Sequence, residues 1–313
     1  MPGNRLLIWS LGLVSLMLLF IGGQHHPLAY LLLGGLMPLP VLLVGRRLGT
    51  WPACLLALAA AILVVSRNPG LETVTEHLGL GEMLLIGLCL GALQNRGWPA
   101  PRAILVTVTV LVLGMLAFFL GQALYLGVSP VAQWTQKTQE ILAVLDKVME
   151  GTGVGSQGLQ TLGASAEEIR SRLAQILPSM VVINTALVAW VNTVLGRRLS
   201  QWFDWVDAEP PLFLWFNPEW LIFLVLGAGF LLLAPVSAIR LISLNLLFLL
   251  GFLYFCQGMA VMAALFHRLQ IPWFLRLVGY LILFMNPIFI VIMILGLMDL
   301  WLDFRRLHRP QDA

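Results

Sequence analysis

Charge is what this sequence lacks. Only 11% of its 313 residues are Asp, Glu, Lys or Arg, against 59% hydrophobic. A soluble chain of this length needs far more charge to cover its surface, so a soluble fold of one or two domains is excluded. Cysteine is scarce too. Cys54, Cys89 and Cys256 sit in apolar stretches without C-x-x-C spacing, which leaves no disulfide framework or zinc site and makes them small buried hydrophobes. Catalytic motifs are missing: there is no H-E-x-x-H, no G-x-S-x-G, no pair of intramembrane aspartates and no Walker sequence. The expectation is a non-enzyme with no cofactor and no ATPase of its own. His25-His26 has no carboxylate or third ligand nearby, so no metal is expected there; His267 beside Arg268 reads as a helix-end cap. The net charge is +3, but no basic cluster interleaves with aromatics, which excludes nucleic acid as a partner.

Long apolar runs are what the sequence has. Stretches 6–23, 28–45, 51–66, 80–94, 103–127, 174–195, 219–235, 240–266 and 273–298 predict an all-α, polytopic transmembrane helix bundle, with the lipid bilayer as its principal partner. The run after Arg5 exceeds a signal-peptide core and lacks an A-x-A-like site, so it reads as a retained first span. Arg5, Arg46/Arg47, Arg96/Arg102 and Arg197/Arg198 place the N-terminus in the cytoplasm by the positive-inside rule. Arg305, Arg306 and Arg309 should also be cytoplasmic, whereas nine crossings from an inside start would end outside; either one short segment does not cross or the tail breaks the rule, and about eight spans are expected.

Three regions follow: N-terminal transmembrane helices over 1–127, an amphipathic insertion with a glycine-rich linker over 128–172, and C-terminal transmembrane helices over 173–313. In the first, Pro38-Leu-Pro40 should kink or break the second span and free carbonyls that neighbours must satisfy. Gly87-Leu-Cys-Leu-Gly91 offers a groove for helix packing, and Glu82 reads as interfacial at a helix N-terminus. In the insertion, Ser129-Pro130 starts a helix whose apolar positions are Val131, Trp134, Thr138, Ile141, Leu145 and Val148. Gly151–Gly158 lacks the strand and lysine of a phosphate loop and reads as a flexible linker. A capping box at Ser165–Glu168 opens a helix that continues through Pro178. The aromatic stretch 199–218 suits an interfacial belt.

Polar groups at membrane depth are the candidate ligand contacts: Asn184, Asn192, Arg240, Asn245, Gln257 and Asn286. Amides in a dry cavity orient a ligand while apolar walls supply contact, and Arg240 would serve an anion. Asn184 and Asn192 lie about 80° apart on a helix and both can face the bundle interior, whereas Asn245 and Gln257 are about 120° apart and cannot share one stripe. Gly258 beside Gln257 would let a ligand or a helix approach closely. At the exit of the last span Asp299, Asp303 and Arg306 fall at i, i+4 and i+7. Together with Trp301 and Arg305 they form a charged edge for docking a partner.

Pro38-Leu-Pro40 with Arg46-Arg47-Leu-Gly49, then Gly87-Leu-Cys-Leu-Gly91, resembles the first half of the YybS-like family of bacterial polytopic membrane proteins. Asn245, Tyr254-Phe-Cys-Gln257-Gly258-Met-Ala-Val261 and Gly296-Leu-Met-Asp299-Leu-Trp301-Leu-Asp303-Phe304-Arg305 resemble its second half. That family is distantly similar to the substrate-binding S components of energy-coupling-factor transporters. The resemblance implies a multi-pass protein of the bacterial cytoplasmic membrane that binds a small molecule and relies on separate coupling and ATPase subunits. The alternative is a membrane scaffold that docks other proteins through the amphipathic insertion and the charged C-terminal edge.

Overall fold

The computed structural model describes residues 2–24, 27–67, 74–151, 166–203, 205, 217–283 and 288–305. Every regular element among them is an α-helix: α1 (Pro2–Gln24), α2 (Pro27–Gly34), α3 (Pro38–Leu48), α4 (Thr50–Arg67), α5 (Val74–Asn95), α6 (Ala100–Leu126), α7 (Pro130–Gly151), α8 (Ala166–Trp202), α9 (Leu221–Leu231), α10 (Ser237–Arg268), α11 (Trp273–Leu283) and α12 (Ile288–Leu302). Many outward-facing residues are large and apolar, among them Leu113, Phe118, Phe223 and Leu233. Water would not tolerate such surfaces, whereas lipid does.

Among the described residues four helices are long and apolar enough to cross a bilayer, within α1, α6, α8 and α10; the pair α11 and α12, bent by 97°, makes a fifth if it counts as one span. This is fewer than the expected eight. The reason is length: apolar segments Thr50–Ser66, Gly79–Asn95 and Leu221–Leu231 fall short of the test, and the predicted second span is divided between α2 and α3. That division follows from Pro38 and Pro40, which start α3 at its first turn and cannot donate into a preceding helix.

Helix ends follow local turn chemistry. Ser129 Oγ accepts the Ala132 amide at 3.2 Å and caps α7. After α10, Gln270 takes φ 50, with Gln270 N–H on the His267 carbonyl and Ile271 N–H on that of Phe266. This left-handed closure satisfies carbonyls of the last turn before Pro272.

Residues 1–174 and 184–209 form one compact unit, and 175–183 with 210–313 a second. In the first, α3 packs on α1, α4 and α5 around Leu16, Val41, Leu56 and Ala60. Gly87 and Gly91 make that packing possible within the chain: a Cβ on Gly87 would lie 2.6 Å from the Pro38 carbonyl, and one on Gly91 3.4 Å from Gly45 Cα. Glu82 is not at a helix start, because α5 begins at Val74; its carboxylate accepts from Thr185 Oγ1 at 2.9 Å. The inner face of α7 is also rotated from expectation. Thr138 is buried as expected, but Gln133 and Leu142 are buried with it while Val131 and Ile141 are exposed, since Gln133 Nε2 donates to Gln122 on α6 at 2.8 Å and Trp134 meets Phe119 edge-on. On its outer face a 2.7 Å hydrogen bond from Lys137 holds the Glu140 carboxyl below its usual range.

The second unit is built on α10 and α12, with α9 laid against α10. Leu221, Leu250 and Tyr254 form its core, lined by Val225, Leu246, Met293 and Leu297.

Candidate functional site

On α10, Leu250, Tyr254, Gln257, Gly258 and Val261 recur three or four residues apart and are buried, as one face of a helix requires. Opposite them α12 buries Ile292, Gly296 and Asp299. The two glycines let the backbones touch. A Cβ on Gly296 would overlap the Tyr254 carbonyl and the Gly258 nitrogen, and one on Gly258 the Ile292 carbonyl. It is therefore a helix, not a ligand, that approaches the glycine beside Gln257.

This seam delivers Gln257 to Asp299, both essentially without exposure. Gln257 Nε2 donates to Asp299 Oδ2 at 3.3 Å, and Gln257 Oε1 accepts the Asn217 backbone N–H at 3.2 Å. Asn217 in turn donates from Nδ2 to the Leu253 carbonyl at 3.0 Å. Helix α12 stops at Leu302; Asp303 adopts φ 41 and the chain turns back. That turn places the Phe304 N–H 3.0 Å from Asp299 Oδ1 and the Arg305 guanidinium on Oδ2, at 2.9 Å from Nε and 2.7 Å from Nη2. Arg268, at the end of α10, donates to the carbonyls of Phe304 at 3.1 Å and Arg305 at 2.6 Å. A carboxylate at a helix C-terminus opposes the dipole, and burying it costs several kcal/mol. Arg305 and the converging donors offset both.

This geometry corrects the docking edge read from the sequence. Asp299 and Arg305 are buried partners of each other, because the helix ends before Asp303 instead of carrying the i, i+4, i+7 register onward. Trp301 is exposed, Asp303 is half-buried in the turn, and Arg306 lies outside the described residues. Of the expected edge, Asp299 and Arg305 therefore face inward, while Trp301 and Asp303 keep surface exposure.

Asn245 meets a different demand. Pro178 interrupts the hydrogen-bond ladder of α8, and Asn245 completes it from α10. Its Oδ1 accepts the Ser179 N–H at 2.9 Å; its Nδ2 donates to the carbonyls of Gln175 at 2.8 Å and Leu241 at 2.9 Å. All the donors of this amide are engaged within the second unit.

In the first unit Asn192 is fully buried and donates to the Gly35 carbonyl at 2.7 Å and to Val188 at 2.7 Å. Gly35 stands in the break between α2 and α3, so Asn192 supplies the donor that the Pro38 break demands of a neighbour. Gln94 Nε2 donates to the adjoining Thr193 Oγ1 at 3.3 Å. Asn184 is exposed, not turned to the interior. Arg240 is exposed at the start of α10. Asn286, His25, His26, Ser165, Gly153–Gly158 and most of the aromatic stretch lie outside the described residues; within it Trp202, Phe203 and Trp205 stack in succession. Among the described residues no three His, Cys, Asp or Glu side chains come together as metal ligands.

Asn217, Arg268 and Tyr254 escaped the sequence reading as functional positions. Asn217 was legible only as part of the stretch 199–218, and Arg268 only as the neighbour of His267 at a helix end. For Tyr254 the available signal was its spacing from Gln257 and Gly258 on one helical face.

No solved structure matches this chain. It is similar to the uncharacterized protein YybS of Bacillus subtilis (strain 168), with 22% identity over 278 residues, 86% of this chain and 87% of that protein. The family described as predicted membrane protein (DUF2232) matches residues 13–300, a reach that takes in α10 and α12 as far as Leu300. A polytopic helical protein with lipid-facing exteriors and a match of that extent is a member of this family, and the chain accordingly belongs to DUF2232.

Proposed function

We propose that this chain is a small-molecule binding and transport component of a bacterial cytoplasmic membrane, without catalytic activity and without its own energy source. In this reading it works with separate coupling and ATPase subunits, as S components of energy-coupling-factor transporters do, and its N-terminus is cytoplasmic. The observation that carries the reading is the buried Asp299–Arg305 pair in a unit of interrupted helices. Membrane proteins retain buried ionisable groups mainly where a pathway or a switching element needs them. Helices α11 and α12 have 11 and 15 residues, each too short to cross alone, and paired half-helices characteristically line transport sites. Asn245, Gln257 and Asn192 act here as bundle fasteners, so the ligand is recognised by other groups.

The test is thermal unfolding of the protein purified in nanodiscs, against vitamins, nucleotide precursors and metal ions. One of these compounds should raise the unfolding temperature in proportion to its occupancy. A flat response to the whole panel, together with no ATPase subunit copurifying from native membranes, would remove the reading.

A further inference from the structure

Glu82 is a carboxylate in the first unit that the proposed function leaves unused. It is half-buried on α5, and Leu80, Leu84 and Ile86 around it are buried hydrophobes. Thr185 on α8 is fully buried, and its Oγ1 donates to Glu82 Oε1 at 2.9 Å. Among the described residues no cation pairs with Glu82.

The depth of this pair follows from the helices that carry it. Gly87 meets Pro38 and Gly91 meets Gly45, while Asn192 meets Gly35 and Gly196 meets Leu42. Helices α3, α5 and α8 therefore run in one direction. Their ends carry Arg46 and Arg47 on α3, Arg96 just after α5, and Arg197 and Arg198 on α8. Arginines so placed mark one edge of the hydrocarbon. Arg96 follows Glu82 by 14 residues and Arg197 follows Thr185 by 12, about 21 and 18 Å along the helix axes. Both values fall inside a core about 30 Å thick, and tilt brings the pair nearer the midplane.

A lone carboxylate is costly at that depth, and membrane proteins keep such groups on ion pathways and proton relays. A metal ion would need several more oxygen ligands, and among the described residues no three acidic, His or Cys side chains gather. A proton needs neither room nor further ligands. It leaves a neutral acid whose second oxygen keeps the Thr185 bond.

Other titratable groups stand away from the pair. Helix α3 carries Arg46 and Arg47 in its last turn, and α4 carries Cys54 near its start. On α6 they are Arg102 in the first turn and Tyr125 in the last. On α8 the nearest charges are Arg172 and Arg197, each more than three turns from Thr185. On α5 itself Cys89 lies two turns beyond Glu82, and the side chains of Arg67, Glu76 and His77 are outside the described residues.

We propose that Glu82 is a proton-binding site within the membrane. Its Oε2 takes a proton from water and returns it, while Thr185 holds Oε1. The nearer water lies toward the start of α5, so the proton enters and leaves on the face opposite the arginines. This inference goes beyond the ligand-binding reading and stands without it.

The test records pH-difference infrared spectra of the protein in nanodiscs, where the C=O stretch of a protonated carboxyl is seen directly. A titrating band is expected in the wild type and should be lost in Glu82→Gln, which keeps the size and neutrality of the acid. Thr185→Val should retain the band and shift it to higher frequency, because the hydrogen bond to the carbonyl is gone. A second measurement uses an apolar carbodiimide, which attacks protonated carboxyls from lipid. It should label Glu82 in the wild type, located by mass spectrometry, and less so as pH rises. Should Glu82→Gln fail to fold, the labelling alone decides. Identical spectra for the wild type and Glu82→Gln overturn the proposal, as does the absence of label on Glu82. A band that sodium removes at fixed pH overturns it too, since a metal cation would then hold the site. None of these readings uses a small-molecule ligand, so a flat thermal-shift panel leaves the site in place.

Discussion

At the scale of single residues, Asp299 has the most at stake. It gathers Gln257, Phe304 and Arg305, so Asp299→Ala leaves a guanidinium buried without its counter-ion. The expected loss is about 3–5 kcal/mol of stability, read from unfolding in detergent. Replacing both Asp299 and Arg305 by leucine should cost much less than the sum of the single changes, because no orphan charge remains; additive losses would show that the pair is not coupled. Asn245→Leu has a smaller expected effect, about 1 kcal/mol, since amide bonds between membrane helices are individually modest and Ser179 N–H can bond directly to Gln175 once the amide is gone. The physical point is common to both: lipid offers no substitute partner, so the value of each side chain is set by what it leaves unpaired.

At the scale of elements, glycines divide into those pressed against a neighbour and those facing open space. Gly258→Ala and Gly296→Ala put a methyl group into the opposing backbone. That clash cannot be relieved by rotating a side chain, so each should cost about 3 kcal/mol or more and loosen α10 from α12. Gly114→Ala on α6 meets nothing within 4 Å and should be neutral or stabilising by about 0.5–1 kcal/mol. Thermal shifts of the three variants side by side check the ranking. Helix identity itself was legible in the sequence from apolar length, the Ser129-Pro130 start and the Pro38-Leu-Pro40 break. The rotation of α7 was not, because Gln133 reads as a polar surface residue until Gln122 on α6 is seen beside it. The end of α12 was misread for a similar reason. Periodicity continues through Asp303 and Arg306, and only the left-handed Asp303 shows that the helix has stopped.

At the scale of the whole molecule, the class of protein was readable because lipid as solvent leaves a compositional mark. The candidate site was readable only as a roster of polar residues. Gln257, Asn245 and Asn192 were identified, but their tasks depend on the Asn217 amide, the Ser179 amide beside Pro178 and the Gly35 carbonyl, which lie 40, 66 and 157 residues away in the chain. No local pattern encodes such separations. Span boundaries were less legible, because an apolar run does not reveal where a helix breaks, as Pro38 does between α2 and α3.

The closure of Asp299 by Arg305 also bears on how the protein is made. A chain that ends at Leu302 carries the Asp299 carboxylate without the guanidinium that pairs with it, and a lone carboxylate in a membrane helix costs about 2.5–3.5 kcal/mol at mid-bilayer. Such a chain also lacks the turn carbonyls that Arg268 clasps. A chain stopped at Leu302 should be cleared rapidly in pulse-chase labelling, whereas one stopped just beyond Arg305 should persist like the full-length protein.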